Sequence, residues 1–300
     1  MSKKNISAAI EDILDRIGEP ATSVPSSADD LGMIPANAET IQEFSKRFRA
    51  MRMSTVAAML QALHEKGLIG KISNMNLLDM ILKSCEASRR NNKAKRLLIK
   101  SGLRSSADVS DIRKRLMGYQ ISESEYESLI GMDWIRGGGL LITGVSGCGK
   151  TDFASALCQY ACLNGLSVLV MDYCMLINQG LAFKCSNFQE YQTYLKNIAG
   201  HNLVMLDDCF LSALQNDEPW CLKSLLDELA DHKHGLILIS QKTMPRMVEC
   251  FAKSEAGITV IDRFSDSTKF MQIKLKGKSF RMNAGGIKIL GGNDEAQQDK

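Results

Sequence analysis

Residues 140–151 read Leu-Leu-Ile-Thr-Gly-Val-Ser-Gly-Cys-Gly-Lys-Thr, and this stretch decides the fold. An apolar run leads into the pattern G-x-x-x-x-G-K-[ST], and an amphipathic, helix-like segment follows over 150–164. Glycines let the backbone curl around an anion with its N–H groups pointing inward, and the next helix adds its positive N-terminal end. The pattern therefore predicts a phosphate-binding loop between a strand and a helix.

The loop carries the predicted site for a nucleoside triphosphate and Mg²⁺. Lys150 is expected to reach the β- and γ-phosphates, and the Thr151 hydroxyl is expected to bind Mg²⁺. Cys148 lies inside the loop and is expected to contribute its backbone only. The predicted nucleotide-binding residues are Gly144, Val145, Ser146, Gly147, Cys148, Gly149, Lys150 and Thr151.

A second apolar run, Leu203-Val-Met-Leu, ends in Asp207 and Asp208. Ligands of parallel α/β folds bind at the carboxyl ends of the strands, so both acids are expected at the ligand edge. We assign Asp207 to Mg²⁺, through water, and Asp208 to orienting or deprotonating the attacking water. A further run, 236–240, is followed by Gln241, whose amide is expected to contact the γ-phosphate or that water.

From Gly137 onward, short apolar runs alternate with helical patterns. The predicted strands are 140–144, 167–172, 203–208, 236–240 and 270–275, and the predicted helices are 150–164, 174–198, 218–232 and 244–254. The first four strands are almost continuously apolar, which is typical of parallel strands covered on both faces. Residues 131–300 are therefore predicted to form an α/β P-loop domain, a parallel sheet flanked by helices.

The region before this domain is predicted to be helical and basic. Helices are expected over about 41–64, with a break at Ser54, over 76–100, ending near Gly102, and in a helix-like stretch over 106–130. Residues 40–104 hold fourteen Lys/Arg and four Asp/Glu, a net +10 in a chain of net +3. This asymmetry predicts a small helical domain, 40–130, that binds a polyanion, most commonly nucleic acid.

One helix face concentrates the positive charge. Arg89, Lys93, Arg96 and Lys100 recur at helical spacing and form a stripe, with Arg90 beside it. Such a stripe can follow a phosphate backbone. A solvated helix face is the alternative, and the local charge excess weighs against it. The only nearby aromatic residues are Phe44 and Phe48, so duplex DNA is favoured over single strands.

The first 39 residues are acidic, with three Lys/Arg and seven Asp/Glu. They are interpreted as a partly disordered tail and linker, and residues 1–18 as a short amphipathic helix that is either a docking peptide or a frayed end. No apolar run approaches the ~18 residues that span a bilayer, and the start is not a secretory signal, so a cytoplasmic protein is expected. Nine cysteines without a C-x-x-C pair indicate reduced thiols rather than disulfides or zinc.

Four segments together resemble the AAA+ ATPases of the IstB and DnaC type: GVSGCGKTDFASAL, LVMLDD, LILISQ and the distal IDRF with GKSFRM. The resemblance covers about residues 130–283. It implies ATP rather than GTP, with Gln241 as sensor 1, Arg281 as sensor 2 and Arg263 as an arginine finger that reaches the ATP of a neighbouring subunit. The family more often has Asn at sensor 1, and AAA+ enzymes often have Glu at the position of Asp208, which is compatible with slow hydrolysis here.

That family comprises transposition helper proteins of insertion sequences and bacterial replicative helicase loaders. The segments RFRAMRMSTVAAMLQAL and EASRRNNKAKRLLIKSGL resemble the N-terminal region of the transposition helpers. The resemblance implies an ATPase that forms homo-oligomers on duplex DNA, with ATP sites between subunits, and recruits or activates a transposase. A DnaC-type helicase loader remains an alternative. A P-loop small-molecule kinase is another, against which the basic region and the lack of an arginine-rich lid argue.

Overall fold

The structure is a computed structural model, and it describes residues 37–103, 112–211, 217–251 and 254–275. Two compact units make up the chain, and the boundary between them lies between Ala87 and Ser88. The predicted helix over 1–18 and the predicted sensor Arg281 fall outside the described residues. The domain boundaries at 39/40 and 130/131 stay predictions.

The first unit contains α1 (Ala38–Ala50), α2 (Ser54–Glu65) and the first half of α3 (Asn74–Lys100). Asn37 begins α1 because its side chain accepts a hydrogen bond from Thr40 N at 2.9 Å. The predicted break at Ser54 is confirmed, since α1 ends at Ala50 and α2 starts at Ser54. The two helices pack through a small apolar core of Ile41, Val56, Ala57, Leu60 and Leu63.

The second unit starts with the remainder of α3, then α4 (Ile112–Met117), α5 (Glu123–Gly131) and a 3₁₀ turn (Asp133–Ile135). Ser122 caps α5: its side chain accepts from Glu125 N, and the Glu125 side chain accepts from Ser122 N. Such reciprocal caps stabilise a helix start. The described part of the predicted 106–130 helical stretch is thus two short helices.

The rest of the second unit is built on one five-stranded, fully parallel sheet, as predicted. Its strands are β1 (Gly139–Thr143), β2 (Val168–Asp172), β3 (Leu203–Cys209), β4 (Gly235–Ser240) and β5 (Phe270–Lys274). They lie in the order β2-β3-β4-β1-β5. Successive core residues of a strand face opposite layers: Leu140 and Ile142 join one buried cluster and Leu141 the other. Both faces are therefore covered, which explains the uninterrupted apolar runs.

In the described residues, six helices flank the sheet: α6 (Lys150–Leu163), α7 (Tyr173–Ser186), α8 (Phe188–Ala199), α9 (Glu218–Asp231), α10 (Met244–Phe251) and α11 (Glu255–Ser265). The prediction of one helix over 174–198 was wrong, because Asn187 is extended and its side chain accepts from Gln189 N at 2.9 Å. Asn187 thus starts a new helix, α8. Helix α11, which carries Arg263, was not predicted. Among the described residues, no helix is both long and apolar enough to cross a membrane.

Candidate functional site

Residues 144–149 join the carboxyl end of β1 to the start of α6. Gly149 has φ +90°, a left-handed conformation that L side chains rarely adopt. A Cβ there would lie 2.6 Å from Cε1 of the Tyr119 ring. Glycine is therefore favoured at this position both by its backbone conformation and by the closeness of the Tyr119 ring.

Lys150 is buried at the first turn of α6, and its ammonium folds back over the loop. Its Nζ donates to the carbonyls of Gly144 and Val145, both at 2.9 Å. Within the described part of the chain, no carboxylate forms an ion pair with it. A buried cation held only by neutral carbonyls fits an anionic ligand, since burying a charge is costly unless it is paired.

Thr151 and Asp207 come together at the mouth of the loop. The Thr151 hydroxyl donates to the Asp207 carboxylate at 3.0 and 3.3 Å, and Asp208 N donates to Oδ1 at 2.9 Å. Burial is the main cause that raises the pKa of Asp207 above its ordinary value; the negative charges of Asp208 and Asp172 add to it, and the two hydrogen bonds oppose it. A cation bound beside this carboxylate would offset the cost of its burial.

This pair of oxygen ligands fits Mg²⁺. Mg²⁺ prefers hard oxygen ligands and is usually held by one or two protein groups, with water and substrate phosphates completing the shell. The described residues contain no cluster of three or more His, Cys, Asp or Glu that could hold a metal by itself. A threonine hydroxyl and one carboxylate beside a phosphate loop match the one or two protein ligands with which Mg²⁺ is usually held.

Asp208 has φ +53° and is exposed beside Asp207. The pairing of β3 with β4 shifts register between Leu206 and Cys209, so the strand turns Asp208 outward at its end. Ser240 Oγ fixes this turn by donating to the Cys209 carbonyl at 3.0 Å. Left-handed backbone at a non-glycine residue costs of order 1–3 kcal/mol and is found preferentially at functional sites.

An open cavity of about 380 Å³ connects these groups. Thr151, Asp207, Asp208 and Asp172 line it, together with Gly102 at the end of α3. The third acid, Asp172, had not been singled out from the sequence, although it ends β2 in the same way that Asp207 ends its strand. The cavity provides room beside the predicted metal and water positions.

Gln241 directly follows β4, the strand between β1 and β3. Ser240 pairs with Thr143 at the carboxyl end of β1, so Gln241 stands at the same sheet edge as the loop. Its side chain is exposed there. The structure thus brings Gln241 to the edge that carries Lys150, Thr151, Asp207 and Asp208, and its contact with a phosphate stays a prediction.

Arg263 lies at the amino-terminal ends of the strands, opposite the carboxyl ends that carry the phosphate loop. Its neighbours around a small cavity include Gly138, Leu236 and Phe270, which lie at the starts of β1, β4 and β5. The five residues of β1 span about 16 Å at ~3.3 Å per residue, more than an arginine side chain can cover. Arg263 instead forms an ion pair with Asp227 of α9. It is therefore not part of the site that its own chain builds.

A polar cluster beside the loop was missed by the sequence analysis. Arg115 Nη2 donates to Asp152 Oδ1 at 2.7 Å, and Tyr119 Oη donates to Asp152 Oδ2 at 2.8 Å. The Tyr119 ring also packs edge-on against Phe153, 5.3 Å between centroids. Burial raises the pKa of Tyr119, and the bond to Asp152 adds to the effect. No spacing rule links residues that are 33 and 37 positions apart.

The five predicted DNA-binding residues, Arg89, Arg90, Lys93, Arg96 and Lys100, are all exposed on α3. A different side of this half of α3 packs into the second unit, where Ala94 is buried and Leu97 and Leu98 lie against the core. The Ser101 carbonyl then accepts a hydrogen bond from Val170 N of β2 at 2.8 Å. The basic stripe thus exists as an outward face of the unit that carries the phosphate loop.

A family model described as IstB-like ATP binding protein matches residues 46–285, well over half of the chain. The chain belongs to the IstB-like ATP binding proteins. The family predicted from four short segments is confirmed, as is the P-loop AAA+ fold of a parallel sheet flanked by helices and preceded by a helical region. Family membership and the loop geometry together make this IstB-like protein a nucleotide-binding protein.

One curated relative of this IstB-like protein is a Pseudomonas fluorescens protein, named as an ATP-binding protein of insertion sequence IS1162. The two are 34% identical over 138 residues, which cover 45% of this chain and 58% of the relative. The chain thus spans less than two thirds of that relative's length.

Among solved structures, the IstB-like protein matches the DnaC helicase loader with 17% identity and a TM-score of 0.42, over 56% of this chain and 99% of that one. It matches DnaI with 16% identity and a TM-score of 0.42, over 58% and 94%. AMPPCP-bound DnaA from Aquifex aeolicus matches with 18% identity and a TM-score of 0.41, over 55% and 50%.

Proposed function

We propose that this protein is an ATP-dependent DNA-binding helper of transposition. With ATP and Mg²⁺ bound it assembles on duplex DNA and recruits or activates a transposase, and ATP hydrolysis then ends the assembly. The observation that carries this proposal is that one compact unit bears both the phosphate loop and the outward basic stripe of α3. Nucleotide and DNA would therefore bind to the same compact unit.

Hydrolysis is proposed to use the groups gathered at the carboxyl ends of the strands. Lys150 exchanges its two carbonyl contacts for phosphate oxygens, and Thr151 and Asp207 hold Mg²⁺. When bound, Mg²⁺ neutralises charge on the β- and γ-phosphates. Asp208 orients or deprotonates the attacking water from its exposed, outward-turned position, and Gln241 contacts the γ-phosphate or that water.

Assembly is proposed because Arg263 stands at the edge of the sheet opposite the loop. An arginine there can act only on nucleotide bound by another copy. The contact between copies therefore joins the Arg263 face of one subunit to the nucleotide face of the next. Such head-to-tail contacts generate rings or filaments, which suits a protein that coats a polyanion. Arginine fingers supplied in trans typically contribute ~10³–10⁵ in rate. Arg281 is proposed as a further phosphate contact, sensor 2, on the basis of the resemblance alone.

The proposal is tested by DNA binding with ATP·Mg²⁺, with ADP and without nucleotide, on labelled duplex and single strands. We expect tight duplex binding that requires ATP and that Lys150→Ala abolishes. Preference for single strands would instead favour a helicase loader, the alternative partner then being a replicative helicase. Absence of DNA binding in every nucleotide state would remove both functions.

A matched pair of variants tests the basic stripe itself. Lys93→Glu/Arg96→Glu reverses two charges on the stripe, whereas Lys196→Glu/Arg246→Glu reverses two exposed charges elsewhere in the second unit. We expect the stripe variant to weaken duplex binding at least roughly 10-fold and to lower the slope of log K against log salt by about 1.8, because each neutralised phosphate contributes about 0.9. The control pair should keep the wild-type slope, and ATP binding should be unchanged in both.

A further inference from the structure

Asp227, on α9, receives two cations at once. Lys223, one turn earlier on the same helix, places Nζ 2.8 Å from Oδ2, while Arg263 Nη2 donates to Oδ1. All three side chains are partly exposed. Burial alone would raise the pKa of Asp227, but the hydrogen bonds from Lys223 and Arg263 outweigh it and hold the pKa below its usual value. The carboxylate is therefore ionised at neutral pH, with both oxygens engaged.

The Arg263 guanidinium makes one hydrogen bond to Asp227 in the described residues, fewer than it can form. Arginine presents five N–H donors in a planar fork and often binds a carboxylate through two parallel bonds. In the described part of the chain, Arg263 donates to Asp227 through Nη2 only, onto Oδ1, while Lys223 donates to Oδ2. The remaining donors, on Nη1 and Nε, are left for another anion.

We propose that Asp227 is the positioning residue of the arginine finger: it holds Arg263 at the rim of its own subunit with donors free for the nucleotide of a neighbouring copy. Lys223 shares the same carboxylate and competes with Arg263 for its charge. An arginine that is already oriented loses less side-chain entropy when the neighbouring phosphate arrives. This inference rests on the proposed function, since it requires that Arg263 act in trans.

The first test is steady-state ATP turnover on saturating duplex DNA. Asp227→Asn keeps the shape of the side chain but removes its charge, and we expect kcat to fall roughly 10-fold, a part of the ~10³–10⁵ that a whole finger contributes. KM for ATP should change little, because the ATP-binding groups lie at the other edge of the sheet. Asp227→Glu should recover most of the activity. Asp231→Asn, an equal charge change on an exposed site one turn later, should behave as wild type.

Subunit mixing separates this inference from the proposed function. Asp208→Asn subunits are expected to bind ATP and assemble but not to hydrolyse it, and they carry an intact finger, so adding them should restore turnover to Arg263→Ala and to Asp227→Asn subunits. Asp208→Asn/Asp227→Asn subunits should restore only about a tenth of that turnover, in line with the part of the ~10³–10⁵ assigned to Asp227. If they rescue as well as Asp208→Asn does, Asp227 has no part in the finger and the inference fails. If Asp208→Asn does not rescue Arg263→Ala, action in trans itself is wrong.

Lys223→Met tests the same proposal without changing Asp227, in case the Asp227 variants fold poorly. Without Lys223, Arg263 is the single cation on Asp227 among the described contacts, so the carboxylate should bind it more tightly, through two N–H groups. We expect kcat to fall while the melting temperature stays within a few degrees of wild type. Unchanged kcat in folded Asp227→Asn, or in Lys223→Met where the Asp227 variants do not fold, would overturn the proposal.

Discussion

The Thr151 hydroxyl donates a hydrogen bond to the Asp207 carboxylate at 3.0 Å, across the gap between α6 and the end of β3. The bond holds two oxygen ligands side by side before any ligand arrives. Because Mg²⁺ demands near-ideal geometry, this arrangement reduces the reorganisation that binding requires.

Removing that hydroxyl should weaken Mg²⁺-dependent ATP binding. For Thr151→Ala we expect the Mg²⁺ concentration needed for half-maximal ATP binding to rise roughly 10-fold, because one ligand and its alignment of Asp207 are lost. Thr151→Ser retains the hydroxyl and serves as the control. A titration of ATP binding against Mg²⁺ measures the effect, and equal curves for the two variants would show that the hydroxyl is not a ligand.

Gly149→Ala should damage both stability and binding. Its φ of +90° is strained for alanine, and the new Cβ would lie 2.6 Å from the Tyr119 ring. We expect the free energy of unfolding to fall by about 1–3 kcal/mol and ATP affinity to fall at least 10-fold. Gly131→Ala, where a Cβ meets nothing within 4 Å, is the control. Urea unfolding and nucleotide binding measure the two effects.

Asp208 variants should separate binding from hydrolysis. Asp208→Asn tolerates the left-handed backbone but has no basic carboxylate, so we expect ATP·Mg²⁺ to bind normally while turnover drops by ~10²–10⁴. Asp208→Glu keeps the carboxylate on a longer side chain and should retain turnover. Phosphate release on duplex DNA gives the answer, and full activity of Asp208→Asn would exclude a role in activating water.

Stability should fall in alkaline solution. Burial raises the pKa of four thiols, those of Cys158, Cys209, Cys162 and Cys221, the last two to about 11. Thiols of the unfolded chain ionise near pH ~8.5, so above that pH the unfolded state loses protons that the native state keeps. The stabilisation is therefore full below about pH 8.5 and is lost as pH rises toward 11.

Urea unfolding under reducing conditions at pH 7.5, 8.5 and 9.5 measures this loss. We expect the free energy of unfolding to drop between pH 8.5 and 9.5, by up to about 1.4 kcal/mol for each fully buried thiol. A constant value over this range would mean that the thiols are accessible in the native state. Maleimide should correspondingly modify exposed Cys174 and Cys185 before the buried four.

Much of the site was predictable because its determinants are local. The loop pattern places Gly144 to Thr151 within eight residues, and a strand followed by Asp207 and Asp208 carries those acids to the ligand edge of any parallel sheet. The basic stripe on α3 was predictable for the same reason, since helical spacing alone sets which residues share a face. The break at Asn187 was missed because a side-chain cap interrupted a pattern that otherwise continues.

The amino-acid sequence by itself determined the fold class, the family, the phosphate loop and the face of α3 that carries the charge. Only the tertiary structure decided that Arg263 stands at the edge opposite the loop, that it contacts Asp227, and that Tyr119 and Arg115 close around Asp152. The physical reason is the sequence separation of the contacts. The pattern of a helix or strand repeats every few residues and is visible in the sequence, whereas these contacts join side chains 33 to 37 positions apart. Only the packing of whole helices and strands brings such side chains together.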